Sequence, residues 1–310
     1  MLLVSMSPMP GTDRPMVESE SNCTLRDVGV RLYAFRGSVS GALALLILGF
    51  IAASALAQDF ISNMELCNGS DRSSPEPQIR GCSELIKTNA DNALILSLAY
   101  NNRGNAYTTE CQYDLAIEDY TKSTNLNPGL AKPLNNRGVV HKKKGELDLA
   151  MKDFDAAINL DSNYADAFFN RAQLREKQGD LVGALKDFDE AIRAQPDTEG
   201  VWNERCWARA ISGDLQGALA DCNEAIRREP NVATDLDSRG FVYLKSSQWD
   251  LAVADFNAAL RLDPKLASAL YGRGVAKARK GDVAGSKSDI AAARAIKQDV
   301  EAEYAGYGVH

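Results

Sequence analysis

The chain has 310 residues, 45% hydrophobic and 25% charged, which is enough apolar material to bury a core of one large or two ordinary domains. A formal charge of -7 gives no field to attract phosphate backbones and argues against nucleic acid as a partner. The two histidines, His141 and His310, lie far apart and have no cysteine at ligand spacing, so neither a metal site nor a cofactor is expected.

The first 57 residues read as leader and signal peptide. Residues 37–58 carry no charge and follow Arg26, Arg31 and Arg36; they contain the apolar run Ala42 to Ala53 and end in Ala55-Leu56-Ala57. A twelve-residue apolar stretch before small residues is a secretory pattern with cleavage expected before Gln58. The alternative is an uncleaved anchor, because the uncharged run of 22 residues is long enough to cross a bilayer. Residues 58–96 form an N-terminal capping segment, in which Pro77 to Ile86 has Ile79, Cys82 and Leu85 at inward helical spacing.

From residue 97 to 300 the sequence repeats. Steps of 34 residues from Arg103 land on Arg137, Arg171, Arg205, Arg239 and Arg273 without a gap. The next column is small: Gly104, Gly138, Ala172, Cys206, Gly240 and Gly274. A second small column, from Ala116 to Ser286, precedes by four residues a bulky one of Tyr120, Phe154, Phe188, Cys222, Phe256 and Ile290. Gly145, Gly179, Gly213 and Gly281 break the middle of a unit, and Pro128, Pro196, Pro230 and Pro264 close its end. Each unit is therefore helix, turn, helix, stop. Cys111 and Ser247 stand where the other units have the turn glycine.

An acidic column, Asp119, Asp153, Asp187, Asp221, Asp255 and Asp289, matches the arginine column on the second helix of every unit. An arginine–aspartate ladder between helices is expected; the alternative is two solvated stripes worth about 0–1 kcal/mol per pair. Residues 301–310 form a C-terminal cap or tail, with Val300 to Tyr304 as a short sealing helix.

Period, small columns and closing prolines together resemble the tetratricopeptide repeat. The resemblance implies an all-α fold: a right-handed superhelical solenoid of six helix-turn-helix units with N- and C-terminal capping helices. The arginine column departs from it, since the family commonly carries leucine there. The layout of Cys67 to Asp71, Gly81 to Ile86 and then Asn101 to Tyr107 resembles small exported tetratricopeptide proteins of Gram-negative bacteria, which implies a periplasmic address, or an inner-membrane anchor facing the periplasm if the signal is uncleaved.

In that family the first helices of successive units line a concave face that receives peptides or partner segments. At helical spacing the corresponding residues are polar early (Asn101, Asn105, Asn135) and turn aromatic and aliphatic later. Asn135, Phe169, Trp207, Phe241, Leu244 and Tyr271 are the candidate partner-binding residues. The alternative for Trp207 and Phe241 is space-filling between neighbouring first helices. His141 falls where relatives often carry tyrosine and reads as an inter-helix filler rather than a general base. No nucleophile, base and orienting partner converge, so the expected function is a non-enzymatic interaction scaffold for an unidentified protein or peptide, or an assembly factor of an envelope complex if the chain is membrane-anchored.

Export would leave five cysteines where disulfides persist. Cys206 sits in the small column and Cys222 in the facing bulky column, 16 residues on; Cys67 and Cys82 are 15 apart, with Cys82 in the same bulky column when the capping helix is laid over Ala116 to Tyr120. Bridges Cys67–Cys82 and Cys206–Cys222 are expected, with Cys111 free; the alternative is that Cys206 and Cys222 are buried small apolar residues.

Overall fold

The computed structural model describes residues 57–69 and 74–309. The leader, the apolar run Ala42 to Ala53 and Ala55-Leu56 lie outside the described residues. The described residues contain fifteen helices and no strand, and none of these helices is long and apolar enough to cross a membrane.

They fall into two compact units, 57–160 and 161–309. The first holds α1 (57–67), α2 (Pro75–Thr88), α3 (Ala93–Thr109), α4 (Tyr113–Leu126), α5 (Ala131–Lys143) and α6 (Leu147–Leu160). The second holds α7 (Ala165–Lys177), α8 (Leu181–Ala194), α9 (Val201–Ser212), α10 (Leu215–Arg228), α11 (Ala233–Lys245), α12 (Trp249–Leu262), α13 (Ala267–Arg279), α14 (Val283–Ile296) and α15 (Val300–Gly306). The pairs α3/α4 to α13/α14 are the six expected units, and α3 starts four residues ahead of position 97.

Every pair turns in the same way. The residue at the turn-glycine position has positive φ, from 57° at Cys111 to 94° at Gly213. The next amide then donates five residues back, as Gln112 N–H does to the Tyr107 carbonyl (2.8 Å) and Asp282 N–H to that of Lys277 (3.0 Å). This left-handed cap ends the first helix and aims the chain into the second. Where aspartate follows the glycine it caps the second helix: Asp180, Asp214 and Asp282 accept from the amides of Gly183, Gly217 and Gly285.

Within a pair the small and bulky columns meet. A Cβ on Gly104 would lie 2.7 Å from the Tyr120 ring, one on Gly138 2.7 Å from Phe154 and one on Gly240 2.8 Å from Phe256, so an aromatic edge lies flat against glycine backbone. Tyr120, Phe154, Phe188 and Phe256 are all fully buried. In the fourth unit both partners of this contact are cysteine, and Cys206 and Cys222 sulfurs lie at bonding distance with Cα atoms 5.3 Å apart. A covalent bridge stands there in place of the glycine–aromatic contact.

The N-terminal pair follows the same plan. Cys67 and Cys82 are likewise at bonding distance, with Cα atoms 4.6 Å apart, and with Leu85 and Ala99 they form a small core. The inward residues of α2 are Gly81, Cys82 and Leu85; Ile79 is only half-buried, because the close face of the helix is set by Gly81, whose Cβ would lie 2.6 Å from Leu66. Cys111 is exposed and unbridged.

Candidate functional site

The arginine column builds the frame that holds the first helices. Each arginine makes two parallel hydrogen bonds to the aspartate of its own unit: Arg103 to Asp119 (2.7 and 2.9 Å), Arg137 to Asp153 (2.9 and 2.7 Å), and so on to Arg273 with Asp289 (both 2.7 Å). The same geometry joins Arg171 to Asp187, Arg205 to Asp221 and Arg239 to Asp255. These are forked, charge-assisted contacts to buried carboxylates, not solvated stripes. The aspartate bonds, ahead of the opposing cost of burial, raise Arg137 and Arg239 above the ordinary guanidinium range.

A third guanidinium nitrogen reaches the second helix of the preceding pair. Arg137 Nη1 donates to Thr121 (2.9 Å), Arg205 to Asp189 (2.7 Å), Arg239 to Asn223 (2.9 Å) and Arg273 to Asn257 (2.7 Å). Arg103 makes this bond to Ser83 of α2 (3.0 Å), which puts the neighbouring Cys82 in the bulky column. One side chain thus ties three helices, and leucine could not. His141 fits the filler reading: it is buried, its Nδ1 lies 2.5 Å from Glu146 and its Nε2 3.8 Å from Asp153. The His141 bond, followed by that from Lys144, holds the Glu146 carboxyl below its usual range.

The first-helix residues differ between the two units. In residues 57–160 they are amides bonded to one another. Asn136 Nδ2 donates to Asn101 (3.2 Å) and Asn105 (3.0 Å), Asn102 donates to Asn68 (3.2 Å), and the Tyr120 hydroxyl donates to Asn105 (2.8 Å). Asn135 is only 4% exposed, its Nδ2 3.4 Å from the Asn136 amide oxygen.

In residues 161–309 the corresponding surface of α9, α11 and α13 is aromatic and covered, whereas α7 carries Gln173 and Glu176 there. Phe169 is half-buried against Phe188, with ring centroids 6.0 Å apart. Trp207 and Phe241 pack ring on ring at 4.6 Å, and Trp207, Phe241, Leu244 and Tyr271 are 4%, 0%, 3% and 5% exposed. What covers them is the segment carrying α15. Tyr307 meets Trp207 edge-on at 5.1 Å, and Tyr304 meets Phe241 at 5.6 Å and Tyr271 at 4.8 Å. The Tyr304 hydroxyl donates to the Ser268 carbonyl (2.8 Å), and Lys245 Nζ donates to the carbonyls of Tyr307 (3.0 Å) and Ala210 (2.9 Å). Burial lowers the Lys245 pKa from its ordinary value.

The structure therefore brings Trp207, Phe241, Leu244 and Tyr271 into one cluster. Asn135 belongs to the amide network of residues 57–160. Sequence reasoning missed Tyr304, Tyr307 and Lys245 as members of this surface. The signal was the spacing of Val300, Tyr304 and Tyr307, which puts three apolar bodies on one side of a helix. The segment carrying α15 does more than seal the last pair, because its rings reach α9 and α11.

Paired antiparallel helices on a 34-residue period, with small residues at their crossings, define a helical-repeat solenoid. Tetratricopeptide-repeat models match residues 97–130, 141–179, 169–233 and 240–281, together more than half of the chain, which belongs to the tetratricopeptide repeat family. No curated protein matches it in sequence. Among solved structures, a tetratricopeptide repeat protein from Parabacteroides merdae is similar over 81% of this chain and 99% of its own, with 16% identity and a TM-score of 0.58. PilF of Pseudomonas aeruginosa is similar over 67% of this chain and 97% of its own, with 17% identity and a TM-score of 0.58. YrrB, described as a tetratricopeptide repeat protein with an unusual peptide-binding site, is similar over 61% and 98%, with 22% identity and a TM-score of 0.51.

Proposed function

We propose that the protein is a non-enzymatic scaffold that binds a short segment of a partner protein on the first-helix face of its repeats, in the periplasm. One observation carries the reading: the first helices α9, α11 and α13 present a continuous aromatic and aliphatic floor, and this floor holds a short helical segment through ring contacts and backbone hydrogen bonds. That is how a helix-in-groove module grips its ligand. The YrrB description, with its peptide-binding site, is consistent with it.

Export is supported by the apolar run before Ala55-Leu56-Ala57 and by two cysteine pairs at bonding distance, since such bonds persist in oxidising compartments. The mature chain then starts at Gln58; intact-mass measurement of exported protein checks this, and a mass retaining residues 42–53 overturns it. The uncharged run of 22 residues favours a second reading, a membrane-anchored assembly factor, in which the protein resists carbonate extraction from membranes.

Binding is tested with a photo-crosslinking residue placed at Gln173 or at the exposed Ala278 on first helices α7 and α13, and at Leu149 or Val182, exposed on second helices. Partner adducts in cells are expected from the first two positions. Adducts only from the second two, or from none, overturn the proposed face.

A further inference from the structure

The partner-type surface of residues 161–309 is occupied by the chain itself, and the occupant has the form of a ligand. α15 is a seven-residue helix, too short to be stable alone, and it joins α14 through Lys297, Gln298 and Asp299, of which Gln298 and Asp299 are exposed. It is held by few groups: Val300, Tyr304 and Val309 are buried, Tyr307 is half-buried, and the residues between them are partly or fully open to solvent. The paired helices differ, since each is locked by an arginine fork and by its small and bulky columns.

The floor beneath is limited to the units that the segment covers. At corresponding first-helix positions the first three units carry Asn105, Val139 and Gln173, and the last three carry Trp207, Phe241 and Val275. One step further along the helix, Thr108, Lys142 and Glu176 give way to Ala210, Leu244 and Ala278. Without its cover this would be an exposed aromatic patch of the kind that marks an interaction site. The rim is basic: Lys297 pairs with Glu303 (2.8 Å), Arg294 with Glu301, and Lys245 holds the Tyr307 carbonyl.

Resting on the interaction-scaffold reading, we propose that residues 299–309 are an intramolecular ligand, a latch on the first-helix face of the last three units. The partner is then an acidic helical segment with two aromatic residues three positions apart, which binds by displacing the latch. The apolar floor takes the aromatic pair, the Ser268 carbonyl takes a phenolic hydroxyl, and the basic rim takes the carboxylates. A latch lowers the apparent affinity of a competing segment by the fraction of molecules in which the face is open.

The test uses a fluorescent peptide of residues 298–310 and the full chain with its disulfides intact. Anisotropy titrations compare wild type with the Tyr304→Ala/Tyr307→Ala double variant. The variant is expected to keep its helical circular dichroism and bind the peptide about tenfold or more tightly than wild type, and a peptide with both tyrosines replaced by alanine is expected not to bind. A folded variant that binds no peptide, or equal binding by both proteins, overturns the latch. So does loss of the helical signal, which would make the segment an integral part of the fold. Wild-type dimers that the double variant abolishes would assign the segment to a second copy and overturn the intramolecular form. If any of these occurs while first-helix crosslinks persist, the latch alone fails; if those crosslinks are absent, the scaffold reading fails with it.

Discussion

Residues 57–160 and 161–309 have the same period, the same helix pairs and the same arginine–aspartate forks, yet the first helices of the former and the last three first helices of the latter differ in surface chemistry. One is an amide network in which Asn101, Asn105 and Asn136 satisfy each other; the other is an aromatic cluster whose cover is a distant part of its own sequence. The columns that make the fold are therefore separable from the residues that give a surface its chemistry. The chemistry of the first-helix surface changes along this array while the arginine–aspartate forks recur in every pair.

The strongest way to break this contrast is to truncate one anchor on each side. Phe241→Ala removes a fully buried ring and is expected to lower stability by about 3–5 kcal/mol, measured by denaturant unfolding. Asn136→Ala removes the bonds donated to Asn101 and Asn105 and the longer one accepted from Asn135, and is expected to lower it by about 1–2 kcal/mol. Equal losses would mean that the two surfaces are energetically alike.

The cysteine pairs sharpen the comparison, because one bridges each unit. Each closes a loop of about 15 residues, worth about 3 kcal/mol in the chain-entropy model. Cys206→Ser/Cys222→Ser and Cys67→Ser/Cys82→Ser should each lose about that amount. In the mature protein without reduction, peptide mapping should recover both bridged pairs and leave Cys111 alone open to alkylation. Finding Cys206 and Cys222 both alkylated in the unreduced, denatured protein would remove the Cys206–Cys222 bridge.

Burial raises the pKa of a tyrosine in each unit, Tyr271 in residues 161–309 and Tyr120 in residues 57–160, and the test is made at Tyr120. Burial, opposed by its bond with Thr108, pushes the Tyr120 phenol from 10.0 up to about 12. A folded-state value above the unfolded one stabilises fully below pH 10 and is lost as pH rises through about 12. Alkaline unfolding of residues 57–160 is expected in that window, with a contribution on the order of 2 kcal/mol. Tyr120→Phe should flatten the loss, and an unchanged pH profile would contradict the assignment.

The smallest effect concerns one turn in each unit. Cys111 and Ser247 hold positive φ, 57° and 58°, where glycine carries no penalty. Cys111→Gly and Ser247→Gly should each stabilise by about 1 kcal/mol in thermal unfolding. Destabilisation at either turn would mean that its side chain contributes more than its backbone conformation costs.

Most of the fold was legible in the chain because it is local and repeated. A period of 34, a glycine opposite an aromatic ring and a left-handed turn each involve residues one helix pair apart, so the spacing of Gly104 and Tyr120 or of Arg103 and Asp119 determined their contact. The two cysteine pairs followed from the same columns. The cover on Trp207 and Phe241 was not legible, since Tyr307 meets a ring 100 positions earlier in sequence and nothing periodic links them. Sequence determined that Val300 to Tyr304 would form a short sealing helix. Only the tertiary structure decided which surface that helix would cover, because an apolar face specifies that it be buried and not where.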